Sequence, residues 1–155
     1  MKFTAFLKNA LFPLDYTCDI CGAESFNGNI CEDCKKSVTL NNGITCPVCG
    51  RKTGKAEICI ECKHNAPEYT RAVSPLVYEE GVIVLISKFK NGGAYLKDYF
   101  AELINKKLED FGDIDCMVSV PMTAKSKIKR GYDQVEKLAA SLSEKSGIPY
   151  IRGAI

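Results

Sequence analysis

The sequence predicts an α/β architecture preceded by a small, cysteine-rich β module. Three observations carry this expectation. Eight of the nine cysteines fall into four Cys-x-x-Cys pairs between residues 18 and 62. The second half of that array repeats the first at an offset of 28 residues. Beyond residue 67 the apolar residues read as strand, loop, helix and strand again, the order of a βαβ unit.

Length and composition set the outer limits. A chain of 155 residues holds one ordinary domain, or a small module joined to part of another. With 46% hydrophobic and 26% charged residues it is globular in composition. A formal charge of +2, from 21 Lys and Arg against 19 Asp and Glu, does not by itself announce a nucleic-acid or membrane binder.

The cysteine pairs are Cys18/Cys21, Cys31/Cys34, Cys46/Cys49 and Cys59/Cys62. Two residues between cysteines let both sulfurs face one ion from a tight turn. Gly22 and Gly50, after the second cysteine of the first and third pairs, suit the positive φ such turns need. Two turns supply four thiolates, the closed tetrahedral shell of a structural zinc site with no open position for water. The expectation is therefore two structural Zn²⁺ in a double zinc ribbon. A secreted disulfide module would also use evenly spaced cysteines, but residues 1–14 carry Lys2, Lys8 and Pro13 and contain no signal-peptide h-region. No run reaches transmembrane length. One redox Cys-x-x-Cys motif would not explain four tandem copies. These features predict a cytoplasmic, reduced chain. The duplication favours sequential pairing, Cys18/Cys21/Cys31/Cys34 and Cys46/Cys49/Cys59/Cys62, over a cross-brace. His64 falls outside both shells and reads as a surface residue. Cys116, alone in an apolar run, reads as a small buried hydrophobe without a function.

Along the chain, Phe3, Phe6, Leu7 and Ala10 sit at helical spacing and predict a lead-in helix over 1–14. The ribbons occupy 15–66, and the α/β part runs over 67–155. Ala72–Tyr78 is β-rich with Pro75 as an irregularity. Val82, Leu85, Ile86 and Phe89 predict a helix that Asn91-Gly92-Gly93 ends. Leu96, Tyr99, Phe100, Leu103, Ile104 and Leu108 predict another. Met117–Val120 reads as a buried, parallel strand. Val135, Leu138, Ala139 and Leu142 predict a helix closed at Gly147, and a further strand begins within 148–155.

Chemistry is expected after the Met117–Val120 strand. The segment Pro121 to Gly131 carries Lys125, Lys127, Lys129 and Arg130 and no carboxylate. In open α/β sheets ligands bind at the carboxyl ends of strands, and backbone amides at a following helix favour phosphate. The Gly-x4-Gly-Lys-Ser/Thr spacing of a P-loop is absent. Residues 15–66, by contrast, hold six Lys/Arg and seven Asp/Glu. Eight thiolates on two Zn²⁺ would add a further −4, so the ribbons are poor non-specific polyphosphate binders, although Arg51, Lys52 and Lys55 could still make a local basic patch.

Lys129-Arg130-Gly131-Tyr132-Asp133-Gln134, followed by Leu138-Ala139-Ala140, resembles the signature of the ComF family of phosphoribosyltransferase-like competence proteins. Val118-Ser-Val-Pro121-Met122 resembles that family's Pro-Val-Pro-Leu strand end, and Lys88-Phe89-Lys90 its Leu-Lys-Phe/Tyr-Lys region. The resemblance implies a cysteine zinc ribbon followed by a partial doubly wound phosphoribosyltransferase-like domain. It implies that Pro121, Met122, Thr123, Ala124 and Lys125 hold the pyrophosphate of phosphoribosyl pyrophosphate, with Arg130, Gly131 and Gln134 as signature residues. Mg²⁺ would bridge phosphate oxygens only in a complete site. Asp133 and Tyr132 stand where the family has Asn and Phe. No Asp-Asp-x-x-Thr-Thr-Gly segment, which in the family holds ribose 5-phosphate and Mg²⁺, occurs in the 155 residues. The chain is thus expected to be the N-terminal two-thirds of a family member, without transferase activity of its own. The family's association with DNA uptake implies a second possibility, an adaptor for single-stranded DNA or a competence helicase. A zinc-stapled interaction module without ligand chemistry is the third.

Overall fold

The structure is a computed structural model that describes residues 17–25 and 29–155. The helix expected over 1–14 lies outside the described residues. The chain divides into two compact units. One gathers the described residues up to Thr39 with Tyr78–Ile86, and the other gathers Leu40–Val77 with Ser87–Ile155.

The first unit is built on a knuckle. Thr17 and Glu24 form an antiparallel bridge, and Cys18 N–H donates to Ala23 O at 2.7 Å. Gly22 closes the turn at φ +75°, donating to Cys18 O. A four-residue helix, α1 (Glu32–Lys35), follows with Glu32 and Asp33 in its first turn and Lys35 in its last, matching the helix dipole. The unit takes in the start of α3 (Glu80–Lys90), where Val82 and Leu85 are fully buried. Gly81 sits so close to Ser37 and Ile20 that a Cβ would collide with both side chains.

The second unit opens with the duplicate knuckle. Thr45 bridges Lys52, Cys46 N–H donates to Arg51 O at 2.9 Å, and Gly50 closes the turn at φ +68°. Helix α2 (Ile60–His64) takes the place of α1. The segment expected as a strand over Ala72–Tyr78 forms only the single bridge Leu76 to Leu40. The reason lies in where its backbone groups go. Ala72 N–H donates to Val48 O in the knuckle, and Pro75, which has no N–H, gives its carbonyl to Asn41.

The α3 helix, expected from Val82, Leu85, Ile86 and Phe89, ends at Asn91-Gly92-Gly93, where Asn91 and Gly93 N–H both donate to Lys88 O. A single 3₁₀ turn (Ala94–Leu96) leads into α4 (Lys97–Leu108), and a second (Glu109–Phe111) follows it. Strand β1 (Met117–Val118), helices α5 (Ala124–Arg130) and α6 (Gln134–Ser146), and strand β2 (Tyr150–Ile151) complete the unit. The two strands pair in parallel, Met117 with Tyr150 and Val118 with Ile151, so the βαβ expectation holds as a small two-stranded sheet. Helix α6 packs on α4. Phe89, Leu96, Phe100, Ala101 and Leu142 are buried, with the Phe89 and Phe100 rings 5.1 Å apart. Ser141 Oγ donates to Asp98 Oδ1 at 2.6 Å, tying α6 to α4 by a polar contact.

Two expectations are corrected here. The strand read over Met117–Val120 is two residues long and uncovered, with Val118 48% and Val120 74% exposed. A buried parallel strand needs neighbours on both edges and cover on both faces, and β1 has only β2 as a partner among the described residues. For the same reason Cys116, one residue earlier, is exposed and not buried. No helix among the described residues is long and apolar enough to cross a membrane.

Candidate metal centres and a cation-rich segment

Each knuckle and the helix that follows it bring four cysteine sulfurs together. Cys18, Cys21, Cys31 and Cys34 form one cluster, and Cys46, Cys49, Cys59 and Cys62 the other, with all ligand atoms of each within 4.8 Å of one another. The pairing is sequential, one cluster per repeat. The second pair of each repeat spans a helix N-terminus: Cys31 is the residue before α1 and Cys59 the residue before α2. None of the eight forms a disulfide.

The spacing fits a tetrahedral ion. Zn–S bonds of about 2.3 Å at tetrahedral angles place sulfurs about 3.8 Å apart. Cys21 and Cys31 Sγ lie 3.9 Å apart, and Cys49 and Cys59 Sγ lie 3.7 Å apart. Backbone amides point at the buried sulfur of each set. Cys31 N–H donates to Cys18 Sγ and Cys59 N–H to Cys46 Sγ, both at 3.4 Å. Burial disfavours the Cys18 thiolate, but the N–H groups of Cys21, Cys31 and Ile20 outweigh it, and its pKa falls to about 6. At Cys46 the N–H groups of Cys49 and Cys59 dominate over burial, with the same result of about 6. Desolvation and then the neighbouring sulfurs push Cys34 and Cys62 up to about 12. Four sulfurs this close cannot all carry charge unless a cation sits among them. A divalent ion meets that demand and deprotonates its thiol ligands. The donor sets therefore fit two structural zinc ions, which supply cross-links to segments that have little core of their own.

The cation-rich segment takes a different form from the expected loop. Ala124–Arg130 is the helix α5, begun by Thr123, whose Oγ1 accepts from Ser126 N–H at 3.3 Å, and ended by Gly131 at φ +76°. Thr-x-x-Ser before a run of lysines carries enough capping chemistry to start a helix that the charge pattern concealed. Pro121, Ala124 and Lys125 are exposed, Met122 is half-buried, and none of the α5 residues is buried. Lys127 lies 3.8 Å from Glu136, whereas Lys125, Lys129 and Arg130 meet no carboxylate among the described residues. Gln134 is buried at the start of α6.

The Tyr132-Asp133 pair does more than the sequence reading assigned to it. Tyr132 Oη donates to Phe89 O and accepts from Gly92 N–H at 3.2 Å, which pins the end of α3. Asp133 Oδ1 accepts from Val135 and Glu136 N–H at 3.0 and 3.1 Å, capping α6, while its Oδ2 accepts from Met122 N–H at 3.4 Å. One side chain thus joins the exit of β1 to the start of α6. The signal was present in Asp133-x-x-Glu136, the spacing of a capping box.

Comparison with known families agrees with the ribbon geometry. Residues 7–63 match the double zinc ribbon domain, so the chain carries that domain with its two four-cysteine sites. The chain matches no curated protein and no solved structure.

Proposed function

We propose that the chain is a ComF-like, phosphoribosyltransferase-family protein of the cytoplasm, linked to DNA uptake, whose double zinc ribbon over 15–66 precedes a phosphate-binding α/β part over 67–155. The ligand is phosphoribosyl pyrophosphate or a related phosphate compound, held at Pro121–Lys125 with Arg130, Gly131 and Gln134 alongside. The observation that carries this reading is the set of cations Lys125, Lys129 and Arg130, free of carboxylate partners, just beyond the carboxyl end of a parallel strand. That is where α/β sheets receive anionic ligands. Asp133 supports it by holding the Met122 amide and the first turn of α6 together. Transfer in that family also uses an acidic Mg²⁺-binding loop, so the proposal for these 155 residues concerns binding.

The test is a calorimetric titration of the zinc-loaded chain with inorganic pyrophosphate. Saturable binding that is lost on replacing Lys125, Lys129 and Arg130 with alanine supports the proposal, and no saturable heat defeats it. A second reading is a zinc-ribbon adaptor for single-stranded DNA or a helicase partner, for which the family match supports the ribbon module and not the nucleic acid. A salt-sensitive shift of single-stranded DNA by the chain would support it, and no shift at low salt would remove it.

A further inference from the structure

The two ribbons hold the same four-cysteine shell, so differences between them at equivalent positions are not demanded by the metal. Two such substitutions and one change of exposure gather on one face of the second ribbon. Where the first copy has Asn27, Ile30 and Glu32, the second has Lys55, Ile58 and Ile60. Ile30 is buried, whereas Ile58 is 41% and Ile60 75% exposed. Both isoleucines line a groove of about 610 Å³ together with Arg51, Lys55, Lys63 and His64. The groove is wide and open to solvent, a shape that suits a chain segment laid along it rather than an enclosed small molecule.

The charges of the groove say what kind of ligand fits. Its two carboxylates are already matched, Glu61 to Arg51 at 3.1 Å and Glu57 to Lys63 at 3.6 Å. Lys55 lines the same groove and pairs with no carboxylate among the described residues. The bends over 54–57 hold it there, with Thr53 Oγ1 donating to Lys55 O at 2.8 Å and Glu57 N–H donating to the same carbonyl at 2.9 Å. The groove therefore offers two exposed aliphatic side chains and, beside the zinc-thiolate shell that Cys59 belongs to, one cation, Lys55, without a carboxylate partner.

We propose that this groove docks a peptide segment of a partner protein, one that presents aliphatic side chains to Ile58 and Ile60 and a carboxylate to Lys55. Aliphatic contact supplies the non-directional part of the affinity, and the single unmatched cation fixes which way the peptide lies. A purely acidic segment would meet the fixed carboxylates of Glu57 and Glu61. A purely apolar one would leave Lys55 without an anion under cover. None of Lys125, Lys129 and Arg130 belongs to the groove, so this interaction stands apart from phosphate binding.

The test is selection of short random peptides displayed on phage against the zinc-loaded full chain. Anisotropy measurements on the winning peptide then use the wild type, Ile60→Asp and Lys55→Glu. Both substituted positions are exposed, and zinc content of each variant checks that the ribbon is intact. Enrichment of sequences that combine a carboxylate with aliphatic residues is expected, and each substitution should weaken binding about tenfold or more. No enrichment, enrichment of another composition, or a peptide whose affinity ignores either substitution would overturn the proposal.

Discussion

The two zinc ribbons are copies at the level of ligands and strangers at the level of packing. In the first, Gly22 faces open space, and the neighbouring chain approaches instead at Gly81, against the side chains of Ile20 and Ser37. In the second, the equivalent Gly50 is buried, and a Cβ there would lie 2.7 Å from Ala72 O and 2.9 Å from Val73 Cα. Asn41 reinforces the second contact by donating from Nδ2 to Gly50 O at 2.9 Å. A metal shell fixes the local fold of each knuckle. What each knuckle leans on is left to the surrounding sequence, and there the copies have diverged.

The largest effect should come from breaking either shell. Apparent zinc binding of about 10–16 kcal/mol is folding free energy for modules of this kind. Cys18→Ser and Cys46→Ser should each lower bound zinc from about two ions to about one, measured by elemental analysis. Each should unfold its own ribbon, seen as the loss of amide protection in that repeat. If one substitution released both ions, the two ribbons would fold as one cooperative unit and not as two.

A smaller effect separates the copies more sharply. Gly22→Ala adds only the cost of placing an L-residue at φ +75°, about 1–2 kcal/mol. Gly50→Ala adds that cost at φ +68° and a clash with backbone atoms that cannot rotate away, for a total of about 3 kcal/mol or more. Gly81→Ala falls between them, because the atoms it meets first belong to the Ser37 and Ile20 side chains. Denaturant titration of the three zinc-loaded variants checks the ranking. Equal losses for Gly22→Ala and Gly50→Ala would mean that the Ala72–Val73 contact contributes nothing.

These contrasts mark how far the sequence could be read. The eight ligands and their pairing were legible because thiolate chemistry at fixed spacing leaves few alternatives. The helical stripe from Leu96 to Leu108 was legible because its period is long enough to be unambiguous. The packing of Gly50 was hidden, since nothing in the local repeat announces that Ala72 N–H will seek Val48 O. The same ambiguity misled the reading of two apolar runs. Ala72–Tyr78 and Met117–Val120 both look like strands, but strand character is conferred by partners, and each run finds only a short one. Asp133 was noticed for departing from a family signature. Two of its three accepted hydrogen bonds cap α6, a task Asn also performs. Asn would, however, turn an Nδ2 donor toward the Met122 N–H, so Asp133→Asn should cost about 1 kcal/mol and Asp133→Ala about 2 kcal/mol. Helix content and thermal midpoint report that difference.

The smallest effect concerns one acidic position that the two copies use differently. Asp33 in the first ribbon and Glu61 in the second are equivalent in the repeat. Asp33 pairs with Lys36 one turn away at 2.9 Å, whereas Glu61 reaches back to Arg51 in the knuckle at 3.1 Å. The hydrogen bond and charge of Lys36 hold the Asp33 carboxyl below its ordinary value. A carboxylate with a lowered folded pKa stabilises above its unfolded value, and the benefit is lost as pH falls through the folded one. The gap in thermal midpoint between wild type and Asp33→Asn should therefore be small near neutral pH, close on acidification and shrink in high salt, as befits a fully exposed local pair. Glu61→Gln should also loosen the knuckle of the second ribbon, because its partner lies across the fold, and faster amide exchange near Arg51 would show it. If Asp33→Asn loosened its own knuckle to the same degree, the two copies would share more than their metal ligands.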